Sequence, residues 1–260
     1  MLLEVLFIFA GLVTGIITGL VGASAIVAFI PLVLIFYDYN AFTLIGMSLV
    51  LDIFVALPAL FNYIKYKNVH FKAGFYFVLP AIFGAVIGSY FSAKIPDTHL
   101  TGITALFIAF AGATIFMRKS SEKKTGTFMK DLSSRDFKFW IGIFACFVIG
   151  FLGGSLGAAG GISILFLFVF IFGYETHEAI GTSIFIMFFI AVFGAATHFY
   201  YIDRMQFSWL LLTLSVAGGF FGALLSSRIA NRFSEKILNR AVGSILFILG
   251  IVTFVHKILL

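Results

Sequence analysis

The chain has 260 residues, of which 62% are hydrophobic and 11% charged, with mean hydropathy +1.14 and a formal net charge of +6. A soluble domain averages about 45–50% apolar and about 25% charged residues, so this composition excludes a water-exposed globule, which would lack polar surface to cover itself. The Lys and Arg residues lie between apolar runs, where they orient a chain in a bilayer, and this excludes a nucleic-acid partner. Cys146 is the single cysteine, which leaves no disulfide framework and no cysteine-rich metal site; in an apolar run it reads as a small buried hydrophobe.

Apolar runs fall at 5–37, 41–64, 73–93, 98–117, 139–174, 176–202, 205–227 and 237–256. Many reach the roughly 20 residues that span hydrocarbon, so the fold class is an all-α polytopic membrane protein with about eight apolar segments. The chain starts Met1-Leu2-Leu3-Glu4 without the basic stretch of a cleaved signal, and the first run is expected to stay in the mature protein. A basic stretch, Arg118 to Lys138, holds seven Lys/Arg and reads as a solvated cytoplasmic linker. It divides the chain into a first transmembrane repeat (1–117), the linker (118–138) and a second transmembrane repeat (139–260).

The two sides of the linker resemble one another. Gly15-Ile-Ile-Thr-Gly19-Leu-Val-Gly22-Ala23 aligns with Gly150-Phe-Leu-Gly-Gly154-Ser-Leu-Gly157-Ala158, and at the same spacing Ile45-Gly46-Met47-Ser48 aligns with Ile180-Gly181-Thr182-Ser183. Gly84, Gly88 and Ser92 then meet Gly218, Gly222 and Ser226 with a one-residue slip. Ordered matches of this kind predict an internal duplication, an arrangement common among transporters.

The first run of each copy is too long for one crossing. Residues 5–37 would make a continuous helix of about 50 Å against a hydrocarbon core of about 30 Å. Glycines cluster near the middle of both runs, at 19–22 and 153–161, and glycine lets the backbone turn sharply. Each first run is therefore expected to break and fold back. With that folding, one side collects fourteen of the seventeen Lys/Arg and the other keeps Lys94, Arg204 and Lys257. The positive-inside rule favours this split. It implies inverted repeats with both ends outside the cytoplasm, in the cell (inner) membrane.

A helix that stops inside a membrane leaves N–H groups without partners, and the positive end of its dipole suits an anion. Gly22, Ala23 and Ser24 at the first break, and Gly157, Ala158, Ala159 and Gly160 at the second, are thus candidate substrate-binding positions for a small anion. Close packing through small residues is the competing reading, and it is the expected one for Gly11…Gly15…Gly19, Gly84…Gly88, Gly150…Gly154 and Gly218…Gly222.

On the second run, Ser48, Asp52, Val55, Ala59 and Asn62 share a helical stripe; their mates are Ser183, Met187, Ile190, Gly194 and Thr197. Ser48, Asn62, Thr182 and Ser183 join the substrate-binding candidates, with helix contact the alternative. Asp52 is an acid deep inside an apolar run, expensive there unless it functions, and is the first candidate for proton coupling, with pairing to a loop Lys or a protonated structural hydrogen bond as the alternatives. Pro58 should kink the same helix. His198, opposite Tyr63 in the duplication, is a second proton candidate, with an interfacial anchoring or hydrogen-bonded residue as the alternative. Glu175, His177 and Glu178 read as caps of the sixth run. There is no GxxxxGK[ST] loop, no HExxH and no evident Ser/His/Asp set, so neither an ATP motor nor an enzyme is expected, and no cofactor. The expected partners are a small-anion substrate, the lipid bilayer and a coupling proton; a homo-oligomer stays open.

The doubled pattern carries a resemblance. Gly15…Thr18-Gly19-Leu-Val-Gly22-Ala-Ser…Pro31 followed by Ile45-Gly46-Met-Ser48-Leu, and Gly150-Phe-Leu-Gly-Gly-Ser-Leu-Gly157-Ala-Ala-Gly-Gly161 followed by Ala179-Ile-Gly181-Thr-Ser183, resemble the TauE/SafE permeases. Gly84…Gly88, Gly218…Gly222 and the basic ends at Lys94 and Arg228 are similar to that family as well. The resemblance implies a secondary transporter of sulfite or organosulfonates. The first copy departs from the glycine-richer family pattern at Ala23-Ser24-Ala25-Ile26, and Asp52 is outside that pattern.

Overall fold

A computed structural model describes residues 2–117, 137–157, 160–201, 207–229 and 235–259. The described residues form helices α1 (Leu2–Val21), α2 (Ile26–Phe36), α3 (Ala41–Lys65), α4 (Phe71–Ser92), α5 (Asp97–Met117), α6 (Phe137–Leu156), α7 (Gly160–Phe166), α8 (Thr176–Tyr201), α9 (Trp209–Ile229) and α10 (Glu235–Phe254). A π-helical turn, Leu167–Ile171, continues α7, and another, Val255–Leu259, follows α10. Six of these helices are long and apolar enough to cross a bilayer. Linker residues 118–136 lie outside the described part; Phe137 and Lys138 already belong to α6.

Both first runs break where glycine was expected to break them. The legs are unequal: α1 and α6 are full-length, whereas α2 has 11 residues and α7 has 7. The short legs form the centre. Ile26, Val27, Ala28, Phe29, Ile30, Val33 and Leu34 are all buried, and a helix apolar all round belongs in an interior. Exposed Phe61, Phe83, Phe110, Phe144 and Phe221 give the outer helices a lipid-facing coat. α3 continues through Pro58 as a single helix.

Packing is set by missing side chains. A Cβ on Gly11 or Gly15 would strike the backbone carbonyl of Ser215 or Gly219, so α1 lies backbone to backbone along α9. Gly84 and Gly88 do the same against Phe147 and Phe151, and Gly150 and Gly154 against Ala81 and Ala85, joining α4 to α6. The small-residue packing expected for these spacings is what the structure contains. The first helix on each side of the linker therefore packs on a helix from the other side.

The residue pairs also give directions. Contacts advance together along α1 and α9, and along α3 and α9, where Leu51 and Val55 meet Gly219 and Asn62 meets Ser227. They advance together along α4 and α6, and along α4 and α8, where Phe185 lies at Gly74 and Gly194 at Ser89. Gly181, near the start of α8, touches Asn68 after the end of α3, so α8 opposes α3. α5 and α10 oppose one another, with Gly112 at Phe247 and Gly250 at Ala109. Among the described residues, Lys65, Lys67, Lys72, Lys138, Arg228 and Arg240 thereby gather toward one face, with Lys94 and Lys257 at the other. Lys257 bonds Asp38 there at 3.0 Å, and Asp97 accepts the Ala41 N–H at 2.7 Å.

Candidate substrate site at the crossed helix breaks

Gly22 closes α1, its N–H donating to the Thr18 carbonyl at 2.8 Å, and then turns left-handed with φ +71°. Gly157 likewise turns left-handed after α6, with φ +70°. In L residues this region is disfavoured by the Cβ, so the turn needs glycine. The two breaks cross. A Cβ on Gly161 would strike the Gly22 carbonyl and come within 3.2 Å of the Ser24 nitrogen. Gly22 faces Ile180 and Ser183 of α8, and Gly157 faces Ile26 of α2 and Ile45 of α3. Gly22 is thus clasped by α8 from beyond the linker, and Gly157 by α2 and α3 from before it.

At the first break the chain supplies its own carboxyl group. Asp52, 1% exposed, brings both carboxyl oxygens to the start of α2: Oδ1 accepts from the Ala25 N–H at 2.5 Å, and Oδ2 lies 2.5 Å from the Ser24 hydroxyl. A carboxyl oxygen at a helix N-terminus satisfies a donor that the helix cannot. The Ser24 hydroxyl also lies 3.0 Å from the Gly157 carbonyl. At the second break the mate of Asp52 is Met187, whose sulfur comes to 3.0 Å of the position a Cβ would take on Gly161. One break is capped by an acid and the other faces a thioether.

The remaining candidates divide by location. Ser183 lies beside Gly22, and Ser48 lies one turn after Ile45, which faces Gly157; each donates to a carbonyl three residues back, Ile45 at 2.7 Å and Ile180 at 2.9 Å. Thr182 is turned toward the basic face, where its Oγ1 accepts the His70 N–H at 3.0 Å. Asn62 donates to Ser227 at 2.8 Å between α3 and α9, near that same face. Ala158 and Ala159 lie outside the described residues; Gly160 is buried at the start of α7.

His198 is a buried hydrogen-bonded residue rather than an interfacial one. It is 0% exposed and stacks on Phe42 at 4.4 Å. Its Nε2 lies 2.8 Å from the Gly154 carbonyl and 3.5 Å from the Ser92 hydroxyl. Ser89 donates to the same Gly154 carbonyl at 3.1 Å. These side chains from α4 and α8 satisfy the last turn of α6 where the break removes its backbone partners. Glu178 pairs with His70 at 3.2 Å instead of acting only as a cap, and Tyr174 lies edge-on to His70. Burial, with Glu178 nearby, pushes the Tyr174 phenol above its ordinary range.

Ala25, Gly154 and Ser227 were missed as participants. Ser92 was noted only for its repetition as Ser226. That repetition was the available signal, because a polar residue recurring at aligned positions on the two sides of the linker marks a helix end or contact.

A polytopic bundle with two interrupted helices crossed in its interior is the architecture of a membrane transport protein. The family model described as sulfite exporter TauE/SafE matches residues 7–253, and the chain belongs to that family. It is 26% identical to "Probable membrane transporter protein YunE" of Bacillus subtilis (strain 168), over 95% of both chains. It is 22% identical to "Probable membrane transporter protein YtnM" of the same organism, over 97% of this chain and 83% of the relative. A "Probable membrane transporter protein" of Xylella fastidiosa (strain 9a5c) is 24% identical over 93% and 91%. No solved structure matches the chain.

Proposed function

We propose that this membrane transporter is a secondary permease of the cell membrane that moves small sulfur oxyanions, sulfite or organosulfonates, by alternating access. The reading takes the chain as two inverted copies. In support, the aligned helices α1 and α6, α3 and α8, α4 and α9, and α5 and α10 run in opposite directions. The observation that carries it is the crossing of the two left-handed breaks, Gly22 beside Gly161, between α3 and α8. Backbone groups interrupted there must be matched by protein or by substrate, and an Asp52 carboxyl oxygen already matches one of them, the Ala25 N–H. The substrate class follows the description of the family. Asp52 carries the coupling proton, and rocking of the copies opens the breaks to either side in turn.

The test is thermal stability of the detergent-purified protein against sulfite, sulfoacetate, sulfolactate, taurine, sulfate, phosphate and acetate at matched ionic strength. A ligand of the folded state stabilises by RT ln(1 + [L]/Kd), about 2.7 kcal/mol at a hundredfold excess. A selective shift with a sulfur oxyanion, lost in Ser183→Ala, is expected. An equal response to all anions overturns the substrate class. Flux in proteoliposomes separates carrier from passive anion channel: Asp52→Asn abolishes gradient-driven accumulation in a coupled carrier and leaves a channel's flux unchanged.

A further inference from the structure

Three oxygens stand in a row at the crossing: Asp52 Oδ2, Ser24 Oγ and the Gly157 carbonyl, with successive separations of 2.5 and 3.0 Å. Both separations are hydrogen-bond distances, and each contact needs a hydrogen. Ser24 has one hydroxyl hydrogen, a carbonyl has none, and an ionised carboxylate only accepts. Two bonds therefore form together only when Asp52 carries a proton. Its O–H then donates to Ser24 Oγ, Ser24 donates to Gly157, and Oδ1 still accepts from Ala25.

We propose that Ser24 is a proton-set latch that ties the first break to the second while Asp52 is protonated and lets go when Asp52 ionises. When the carboxyl proton leaves, the Ser24 hydrogen turns to the carboxylate, because a charge-assisted bond outcompetes a neutral one. The Gly157 carbonyl, buried at the crossing, then loses its donor. The contact joins residues on opposite sides of the linker, so one proton changes how firmly the two copies are held together. The mate position holds Met187, which cannot titrate, so this device takes one proton per cycle. The latch rests on the permease reading for its place in transport.

Other titratable groups do not share the role. α2 carries none. On the other helices packed against α3 they are Glu4 of α1, Asp97 and His99 of α5, His177, Glu178, His198, Tyr200 and Tyr201 of α8, and Arg228 of α9, all in the first or last turns. On α3 itself, Tyr63 and Lys65 lie at the far end from Ser48.

Hydrogen exchange of peptides covering 157–166, corrected for the intrinsic effect of pH, tests the latch in the full detergent-purified chain. The wild type is expected to exchange about five- to tenfold faster at alkaline than at acidic pH, the scale of one buried hydrogen bond. Asp52→Asn should stay slow at every pH, since its amide N–H replaces the carboxyl O–H toward Ser24. Ser24→Ala should stay fast at every pH. A wild type indifferent to pH, or Asp52→Asn exchanging like Ser24→Ala, overturns the latch, and the wild-type arm decides even where a variant fails to fold. The anion panel fails separately: a flat panel with the expected exchange pattern removes the sulfur-oxyanion reading and keeps the proton-set contact.

Discussion

Gly22 and Gly157 stand 135 positions apart and adopt the same left-handed conformation, φ +71° and +70°. Gly173 shares that φ but has open space where a Cβ would go, whereas a Cβ on Gly157 would collide with the Ile26 side chain. Comparing the two separates backbone strain from crowding. Gly173→Ala should cost about 1–2 kcal/mol, the left-handed penalty alone. Gly157→Ala adds the overpacking of a filled core, about 1–3 kcal/mol. Thermal unfolding in one detergent should rank Gly157→Ala below Gly173→Ala; equal midpoints would mean that Ile26 moves aside freely and that the crossing is loosely packed.

The interfaces between helices on opposite sides of the linker give a second prediction. A Cβ on Gly15 would meet the Gly219 carbonyl, and one on Gly88 the Phe151 carbonyl. Backbone cannot rotate away as a side-chain tip does, so α1 and α9, or α4 and α6, must spread along their length. On Gly160 the nearest atoms would be Met187 at 3.5 Å and Ile190 at 3.8 Å, ordinary contact. Gly15→Ala and Gly88→Ala should each lower the unfolding midpoint more than Gly160→Ala, although all three add one methyl group. The opposite order would show that the α1–α9 and α4–α6 contacts are not tight in the membrane protein.

The unequal success of sequence reading across this molecule has a physical cause. Fold-back was legible because a 33-residue apolar run cannot fit one crossing and glycine marks where it turns. Helix contacts were legible because repeated small residues permit little else. The partners of polar residues were not. A stripe such as Ser48, Asp52 and Asn62 defines a helix face, yet the residue that meets it depends on packing. Asp52 reaches Ser24 across 28 positions and His198 reaches Gly154 across 44. Duplication was a partial guide only: Asn62 bonds Ser227, while its aligned mate Thr197 turns back to the Phe193 carbonyl of its own helix.

The third prediction concerns the end of α6. The Gly154 carbonyl has two side-chain partners, Ser89 at 3.1 Å and His198 Nε2 at 2.8 Å. Removing one leaves the other, so His198→Phe, which keeps a ring against Phe42, should cost about 1 kcal/mol or less, the net worth of one hydrogen bond. Ser89→Ala alone should cost a similar amount. Together they strand a buried carbonyl at a broken helix end, and the double variant should exceed the sum of the singles. A double-mutant cycle on unfolding free energy reads this directly, with a coupling of about 0.5–3 kcal/mol expected for residues that share one acceptor. His198→Gln can still donate through its amide and should recover part of the loss. Strict additivity of the two singles would mean that the carbonyl is served by water at the break. The second break would then be wet, and the α6 end would belong to the permeation path instead of to the scaffold that holds it.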